Sequence, residues 1–185
     1  MRCSYAIRFC INTALAMGLL CGSVAFAQVV AKKDRFGDAL EILLPAAAIG
    51  LALKSDDMEG IKEFAFSGAL AVGTTEVLKR AVHTRRPDGS PNGFPSAHTS
   101  VVFVSAAYVH RRYGWEWAAP MYGLAAATAY TRVSTHNHFS KDVVGGALIG
   151  IGSAFLLTHP LGKNTMATVS PTESGGLRLM VMAHW

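Results

Sequence analysis

Three polar clusters interrupt an otherwise apolar chain, and they hold the residue types that phosphoryl chemistry requires. The clusters are KRAVHTRRP at residues 79–87, PSAHTS at 95–100 and TRVSTHNHFSKD at 131–142. Arginine offers a planar fork of donors that matches the oxygens of a phosphate group. One histidine can attack phosphorus while another protonates the leaving oxygen. The clusters therefore predict a site that binds and cleaves a phosphorylated substrate.

The candidate anion ligands come from all three clusters. Lys79, Arg86 and Arg132 can surround an anion from three sides. Ser96 adds a hydroxyl donor, and Ala97 begins a predicted helix whose first backbone N–H groups are free to bind an anion. Each cluster lies at a predicted helix boundary, where side chains of different helices can converge.

His98 and His138 are the candidate acid and nucleophile, and their types alone do not assign the two roles. His138 lies four residues before Asp142, so the two side chains would share one face if a helix began there. Asp142 would then hold Nδ1–H and leave Nε2 to attack, as the aspartate of a hydrolase triad does. A metal site at His136 and His138 is the weaker alternative, because the nearby cations would repel a metal ion.

The elements that must position these clusters are predicted to be helices. Apolar segments between short polar turns predict helices at about 38–54, 59–82, 97–112, 114–131 and 139–158. The prolines and glycines of the intervening segment after residue 85 predict a loop. We therefore expect an all-α fold, a bundle of about five helices after a signal segment, with a possible short C-terminal β-hairpin in the tail.

The N-terminal segment, residues 1–27, is typical of a secretory signal. It has a basic start, an apolar stretch and the sequence AFA before Gln28. An uncleaved membrane anchor is the alternative. All cysteines of the chain lie in this segment, so the mature protein would have neither a disulfide framework nor thiol chemistry. We expect the signal segment to be followed by a helical catalytic domain at 28–162 and a C-terminal tail at 163–185.

The composition favours a membrane protein or a very apolar helical domain. Hydrophobic residues make up 51% of the chain and charged residues only 16%, against about 25% in an average soluble domain. The apolar segments are shorter than the ~20 residues of a typical membrane span, so the sequence leaves both possibilities open. If the segments cross a membrane, Arg111 and Arg112 fall on the cytoplasmic side and the polar clusters on the other.

The three clusters resemble the motifs of the type-2 phosphatidic acid phosphatase and vanadium haloperoxidase superfamily. The family pattern is KxxxxxxRP, PSGH and SRxxxxxHxxxD, and this chain reads KRAVHTRRP, PSAH and TRVSTHNHFSKD in the same order and spacing. Two positions depart from the pattern. Ala97 replaces a glycine but keeps its backbone N–H, and Thr131 replaces a serine but keeps a hydroxyl.

The resemblance implies a role for each candidate residue. His138 would be the nucleophile that forms a phosphohistidine, Asp142 would orient it, and His98 would be the general acid for the leaving group. The resemblance implies neither a metal nor another cofactor, since cationic side chains stabilise the charge. The phosphoryl oxygens would be bound by Lys79, Arg86, Ser96, the backbone of Ala97 and Arg132.

The resemblance also implies an activity and a location. We expect a metal-independent phosphatase that hydrolyses a phosphate monoester or pyrophosphate on a lipid, such as phosphatidic acid, phosphatidylglycerol phosphate, a polyprenyl diphosphate or lipid A. The alternative is a periplasmic phosphatase for soluble phosphoesters; a vanadium haloperoxidase and a non-catalytic envelope protein are remote alternatives. We expect the bacterial cell envelope, in the periplasm or the inner membrane, with the active site on the periplasmic side. The expected partners are the phosphorylated substrate and a membrane or its surface, with no nucleic acid.

Overall fold

A computed structural model describes residues 35–161, 165–171 and 177–183, and this part of the chain is predominantly helical. The predicted signal segment, 1–27, lies outside the described residues. The helices are α1 (Arg35–Lys54), α2 (Met58–Val82), α3 (Ala97–Tyr113), α4 (Trp115–Ser134) and α5 (Ser140–Leu157). Strands β1 (Thr165–Pro171) and β2 (Leu177–Ala183) pair in an antiparallel hairpin. The predicted all-α class is confirmed.

Two helices of the bundle begin at side chains that cap them. Asp57 precedes α2, and its Oδ1 accepts a hydrogen bond of 2.8 Å from the backbone N–H of Gly60. Ser96 precedes α3, and its Oγ accepts from the backbone N–H of Thr99 at 3.5 Å. Caps of this kind satisfy backbone donors that have no partner within the helix. The cap at Ser96 therefore fixes where α3 starts, and with it the direction of the first side chains of that helix.

Helix α3 lies at the centre of the bundle and packs closely against α5. Its residues Val102 and Tyr108 are fully buried. On α5, a Cβ atom at Gly146 would overlap the carbonyl oxygen of Ser96, and one at Gly150 would lie 2.7 Å from the backbone nitrogen of Val104. Only glycine allows the two backbones to approach this closely.

A network of charged and hydroxyl groups closes the end of the bundle where α3 terminates. The guanidinium of Arg112 donates to Asp57 at 2.6 Å and to Glu63 at 3.2 Å. The same side chain donates to the carbonyl oxygen of His159, just after α5, at 2.9 Å. The hydrogen bond from Arg112 is the main reason that the pKa of Asp57 falls to about 2. These contacts tie α2, α3 and the end of α5 together.

The two most apolar helices, α1 and α5, expose many of their apolar side chains on the outside of the bundle. By length and composition α1 and α5 could each cross a membrane, with mean hydropathies of 1.7 and 1.4 over the most apolar window. Only 28% of that window in α1 and 33% in α5 is buried within the bundle. Ile42 on α1 is 72% exposed, and Leu156 on α5 is 74% exposed. Exposed apolar faces of this size are typical of surfaces that contact a membrane or another protein.

The close approach of α3 and α5 predicts different effects for two glycines of α5. Gly146→Ala should lower the melting temperature, because overpacking costs about 1–3 kcal/mol and exceeds the gain in helix propensity. Gly152→Ala is the matched control, since no atom lies within 4 Å of an added Cβ there. It should leave the melting temperature unchanged or raise it. Equal melting temperatures for Gly146→Ala and the wild type would contradict the packing described here.

Candidate functional site

The N-terminus of α3 holds the second motif in a buried position. Ser96 is fully buried, and its Oγ accepts hydrogen bonds from the side chain and the backbone of Thr99 at 3.0 and 3.5 Å. Its own hydroxyl hydrogen can therefore be donated to a bound oxygen. Ala97 is the first residue of α3 and has a helical conformation, so replacing the glycine of the family pattern causes no backbone strain. Its N–H is one of the helix-terminal donors that can bind an anion.

The third motif joins this terminus through the start of α5. The backbone N–H of Ser96 donates to the carbonyl oxygen of Asp142 at 2.9 Å. Helix α5 begins at Ser140, close to the predicted start at about residue 139. His138 therefore lies just before the helix, and the helical spacing considered for His138 and Asp142 does not apply. The Asp142 carboxylate instead turns back over the helix start. Its Oδ2 accepts from the backbone N–H of Phe139 at 3.0 Å and lies 3.5 Å from Nδ1 of His138.

The contact between His138 and Asp142 is an ion-pair distance rather than a short hydrogen bond. Nδ1 of His138 and Oδ1 of Asp142 are buried and have no hydrogen-bond partner within the part of the chain that the structure describes. Contacts of this type are often long in a free enzyme and shorten when substrate binds. The two residues are 3% and 0% exposed, so water cannot readily replace the missing partner.

The environment of His138 favours the neutral imidazole. Burial is the main cause that lowers its pKa below the usual value, and the nearby positive charge of Arg86 lowers it further. The Asp142 carboxylate and the backbone of Gly93 act in the opposite direction but do not outweigh these effects. A neutral ring keeps a lone pair on one nitrogen, which a nucleophile requires.

Arg132 lies in the last turn of α4 and is almost fully buried. This helix runs to Ser134, beyond the predicted end at residue 131, because hydroxyl groups bind its final carbonyls. The side chain of Thr135, for example, donates to the carbonyl oxygen of Thr131 at 2.8 Å. The carbonyl oxygen of Arg132 accepts from the backbone N–H of His138 at 3.0 Å. The phosphate-binding candidate and the candidate nucleophile are thus joined through the backbone.

His98 projects from the first turn of α3 toward α1. Its Nε2 lies 3.1 Å from Oδ1 of Asp38 and 2.9 Å from Oε2 of Glu41. The same Oδ1 of Asp38 accepts from Nη2 of Arg132 at 3.0 Å. One carboxylate oxygen therefore connects the candidate acid with a candidate anion ligand.

Asp38 and Glu41 were not predicted from the sequence. The first helix was predicted to begin at about residue 38, whereas α1 begins at Arg35. Two carboxylates three residues apart near a helix start are the only sequence signal, and they more commonly just complement the helix dipole. Asp38 and Glu41 reach the site only because α1 packs against it. Such a tertiary contact cannot be read from local sequence spacing.

Lys79 and Arg86 approach the site from the other side. Lys79 lies in the last turn of α2 with 14% of its side chain exposed, 3.7 Å from Oε1 of Glu76. Glu76 and Ala97 line one small cavity, so the end of α2 adjoins the start of α3. Arg86 lies in the loop before α3, and its Nε is buried without a hydrogen-bond partner among the described residues.

The structure links most of the predicted site residues by direct interactions. Hydrogen bonds, ion pairs or electrostatic effects connect the following residues into one cluster: Arg86, Ser96, His98, Arg132, His138 and Asp142. Lys79 is near this cluster through packing, and its described ion pair is with Glu76. His136 is exposed and has a positive φ of 59°. A buried neutral histidine beside arginines and helix-terminal N–H groups can bind an anion and attack it.

Comparison with known proteins identifies the family of this chain. The model of the PAP2 superfamily matches residues 61–166. The chain is 33% identical over 138 residues to the lipid A 4'-phosphatase of Helicobacter pylori, covering 68% of this chain and 69% of that protein. It is 34% identical over 128 residues to the lipid A 1-phosphatase of Porphyromonas gingivalis, covering 62% of this chain but only 28% of that protein.

The fold agrees with the family match. The crystal structure of Aquifex aeolicus LpxE superposes with a TM-score of 0.56 at 23% identity, covering 66% of this chain and 83% of that one. The helical bundle is therefore shared even where the sequences have diverged. This chain belongs to the PAP2 superfamily, as a phosphatase of the type that its three motifs predict.

Proposed function

We propose that this protein removes a phosphate group from lipid A or a closely related lipid of the bacterial envelope, through a phosphohistidine and without a metal ion. The observation that carries the proposal is the buried His138, kept neutral by burial and by Arg86 and backed by Asp142. Two of the relatives are lipid A phosphatases by name, which supports lipid A over other phosphorylated lipids as the substrate.

In the first step the phosphoryl group moves to the enzyme. Nδ1 of His138 faces Asp142, which leaves Nε2 to attack phosphorus. The bond between phosphorus and the ester oxygen breaks, and His98 gives its proton to that oxygen. Arg86 and Arg132, with the N–H of Ala97, bind the remaining phosphoryl oxygens, on which charge accumulates in the transition state. The products of this step are the dephosphorylated lipid and phosphorylated His138.

In the second step water releases the phosphate. His98, now neutral, accepts a proton from the water that attacks phosphorus, and the bond to His138 breaks. Asp142 stabilises the charge on the imidazole in both steps. The cationic side chains neutralise phosphate charge throughout, so these steps do not require a divalent cation.

An apolar groove beside the site supports a lipid substrate. It has a volume of about 310 Å³ and is formed by α1, α2 and α3. Its walls include Ile49, Phe64 and Val104, and it shares Val72 and Val101 with the small cavity that reaches Ala97. A groove with almost exclusively apolar walls suits an acyl chain. Its connection to the start of α3 would bring the attached phosphate to the site.

The charges of the bundle support a site on the periplasmic side of the inner membrane. The outward apolar faces of α1 and α5 would lie against lipid, since few of these residues pack within the bundle. Arg111 and Arg112 lie at the end of α3 opposite to His98. Positive residues favour the cytoplasmic side of a membrane, so the site would face away from the cytoplasm.

The central prediction concerns the two histidines of the third motif. The wild type should release phosphate from lipid A in detergent micelles with EDTA present, and His138→Ala should release none above background. His136→Ala is the matched control, because His136 is exposed, and it should retain most of the activity. Phosphate release would be measured over time at equal protein concentration. Retained activity in His138→Ala, or its loss in His136→Ala alone, would refute the assignment of the nucleophile.

The charge of Arg86 predicts a shift in the pH dependence of the reaction. Activity should fall at low pH as His138 becomes protonated, because an imidazolium cannot attack phosphorus. Arg86 lowers the pKa of His138, so Arg86→Gln should raise that pKa and move the acidic limb of kcat/KM to higher pH. Arg85→Gln is the control, since Arg85 is exposed and bonds to the carbonyl of Gly89. An acidic limb that stays in place in Arg86→Gln would contradict this electrostatic effect.

The apolar groove predicts a selective loss of activity on long-chain substrates. Gly68 lines the groove, and no atom lies within 4 Å of an added Cβ there. Gly68→Leu should therefore fill the groove without a clash and raise KM for lipid A several-fold, while a short-chain phosphate is hydrolysed as before. Gly123→Leu adds the same side chain at an equally open position of α4 and should have no effect. Equal KM values for Gly68→Leu and wild type would exclude this groove as the chain-binding site.

A further inference from the structure

The first turn of α1 forms part of the site, although the family match begins only at residue 61. Gly37 is buried, and a Cβ atom there would overlap the guanidinium of Arg132 and lie 2.7 Å from Oγ1 of Thr131. The backbone of α1 therefore packs directly on a residue of the third motif. Asp38 and Glu41 are carried into the site by this contact.

We propose that Asp38 and Glu41 are positioning residues that keep a hydrogen on Nε2 of His98 and direct it at the leaving oxygen. This inference rests on the proposed phosphatase mechanism, in which His98 is the proton donor. It concerns residues that lie outside the matched family segment, and it assigns α1 a part in the proton transfer.

The hydrogen-bonding chemistry of the carboxylates supports this proposal. An ionised carboxylate has only acceptors, so a ring nitrogen 2.9 Å from Glu41 and 3.1 Å from Asp38 must be the donor in both contacts. The two contacts select the form of His98 that carries hydrogen on Nε2. They also hold the ring of a side chain that is 31% exposed and would otherwise be free to rotate.

The position of Asp38 shows where the proton is directed. Its Oδ1 accepts from both His98 and Arg132, at 3.1 and 3.0 Å. An ester oxygen of a substrate bound to Arg132 can take this place beside His98. Asp38 is the more exposed carboxylate of the pair, at 56% against 30% for Glu41, and it can turn outward when substrate enters. Glu41 then remains, and the Nε2–H of His98 is shared between Oε2 of Glu41 and the ester oxygen until the proton is transferred.

The proton transfer balances without any further reactant. As the bond between phosphorus and the ester oxygen breaks, its electron pair stays on that oxygen, which takes the Nε2 proton of the His98 imidazolium. A neutral ring with its hydrogen on Nδ1 remains. Phosphorus forms its new bond to His138. The carboxylates of α1 neither gain nor lose a proton, so they affect only how well His98 is placed and held in its donating form.

The test compares leaving groups that differ in their need for a proton. Hexadecyl phosphate releases a basic alkoxide, whereas a nitrophenyl phosphate with an acyl chain of the same length releases a stable phenolate. The double variant Asp38→Asn/Glu41→Gln should lower kcat/KM for hexadecyl phosphate about tenfold or more, a part of the ~10²–10⁴-fold that general acid catalysis supplies. It should change kcat/KM for the nitrophenyl ester little. Glu116→Gln, an exposed carboxylate in the first turn of α4, is the control and should affect neither.

The outcomes separate this inference from the proposed function. An equal loss on both esters would show a merely structural role and overturn the inference, as would no loss on either ester. If the wild type cleaves neither ester nor lipid A, the proposed function fails and a direct measurement decides the inference. In samples with isotope-labelled histidine, assigned with His98→Gln, the Nε2 resonance of His98 should shift in the double variant. An unchanged resonance would show that Asp38 and Glu41 do not bond to Nε2 of His98, and would overturn the inference.

Discussion

The contact of α3 with α5 is the constraint on which the site depends. Gly146 and Gly150 let the two backbones meet, and the N–H of Ser96 then reaches the carbonyl of Asp142 at 2.9 Å. This contact sets the distance between the helix terminus proposed to bind the anion and the segment that carries the proposed nucleophile. A side chain in place of either glycine would separate two halves of the site that come from distant parts of the sequence. The glycines therefore act on the chemistry without touching a substrate.

The buried arginines at the two ends of the bundle differ in whether their charge is paired within the protein. At one end Arg112 is paired with Asp57 and Glu63, so its charge is compensated inside the protein. At the other end the buried Nε of Arg86 has no hydrogen-bond partner among the described residues, and its charge acts on His138. A buried polar group without a partner costs stability. A bound phosphoryl group can supply the missing interaction. Substrate binding would then offset the stability that the unpaired Arg86 costs the free protein.

The sequence predicted those parts of the structure that depend on local signals. The prolines and glycines after residue 85 predict the loop before α3, and the apolar segments predict helix boundaries close to those observed. The spacing within each motif identified His98, His138 and Asp142 as site candidates. Which of these residues meet depends on helix packing, to which local spacing contributes little.

The differences between expectation and structure have the same physical origin. The backbone N–H of Ser96 bonds to the carbonyl of Asp142, a contact that the spacing within the motifs does not predict. Asp38 and Glu41 reach His98 because Gly37 allows α1 to pack on the end of α4. Both features arise from contacts between segments that are distant in sequence, and hydrophobic periodicity contains no information about them.

The length of α3 has a consequence for the depth at which the chemistry takes place. Its 17 residues rise by about 26 Å, a few ångströms less than the ~30 Å thickness of the hydrocarbon layer of a bilayer. In a membrane, Arg112 at one end and His98 at the other would both lie close to the acyl chains, and local thinning of the bilayer is one way to accommodate so short a helix. The site would then lie in a local depression at the level of the lipid headgroups. A lipid phosphate reaches that level while its chains remain in the leaflet, whereas a water-soluble ester must leave the aqueous phase to enter.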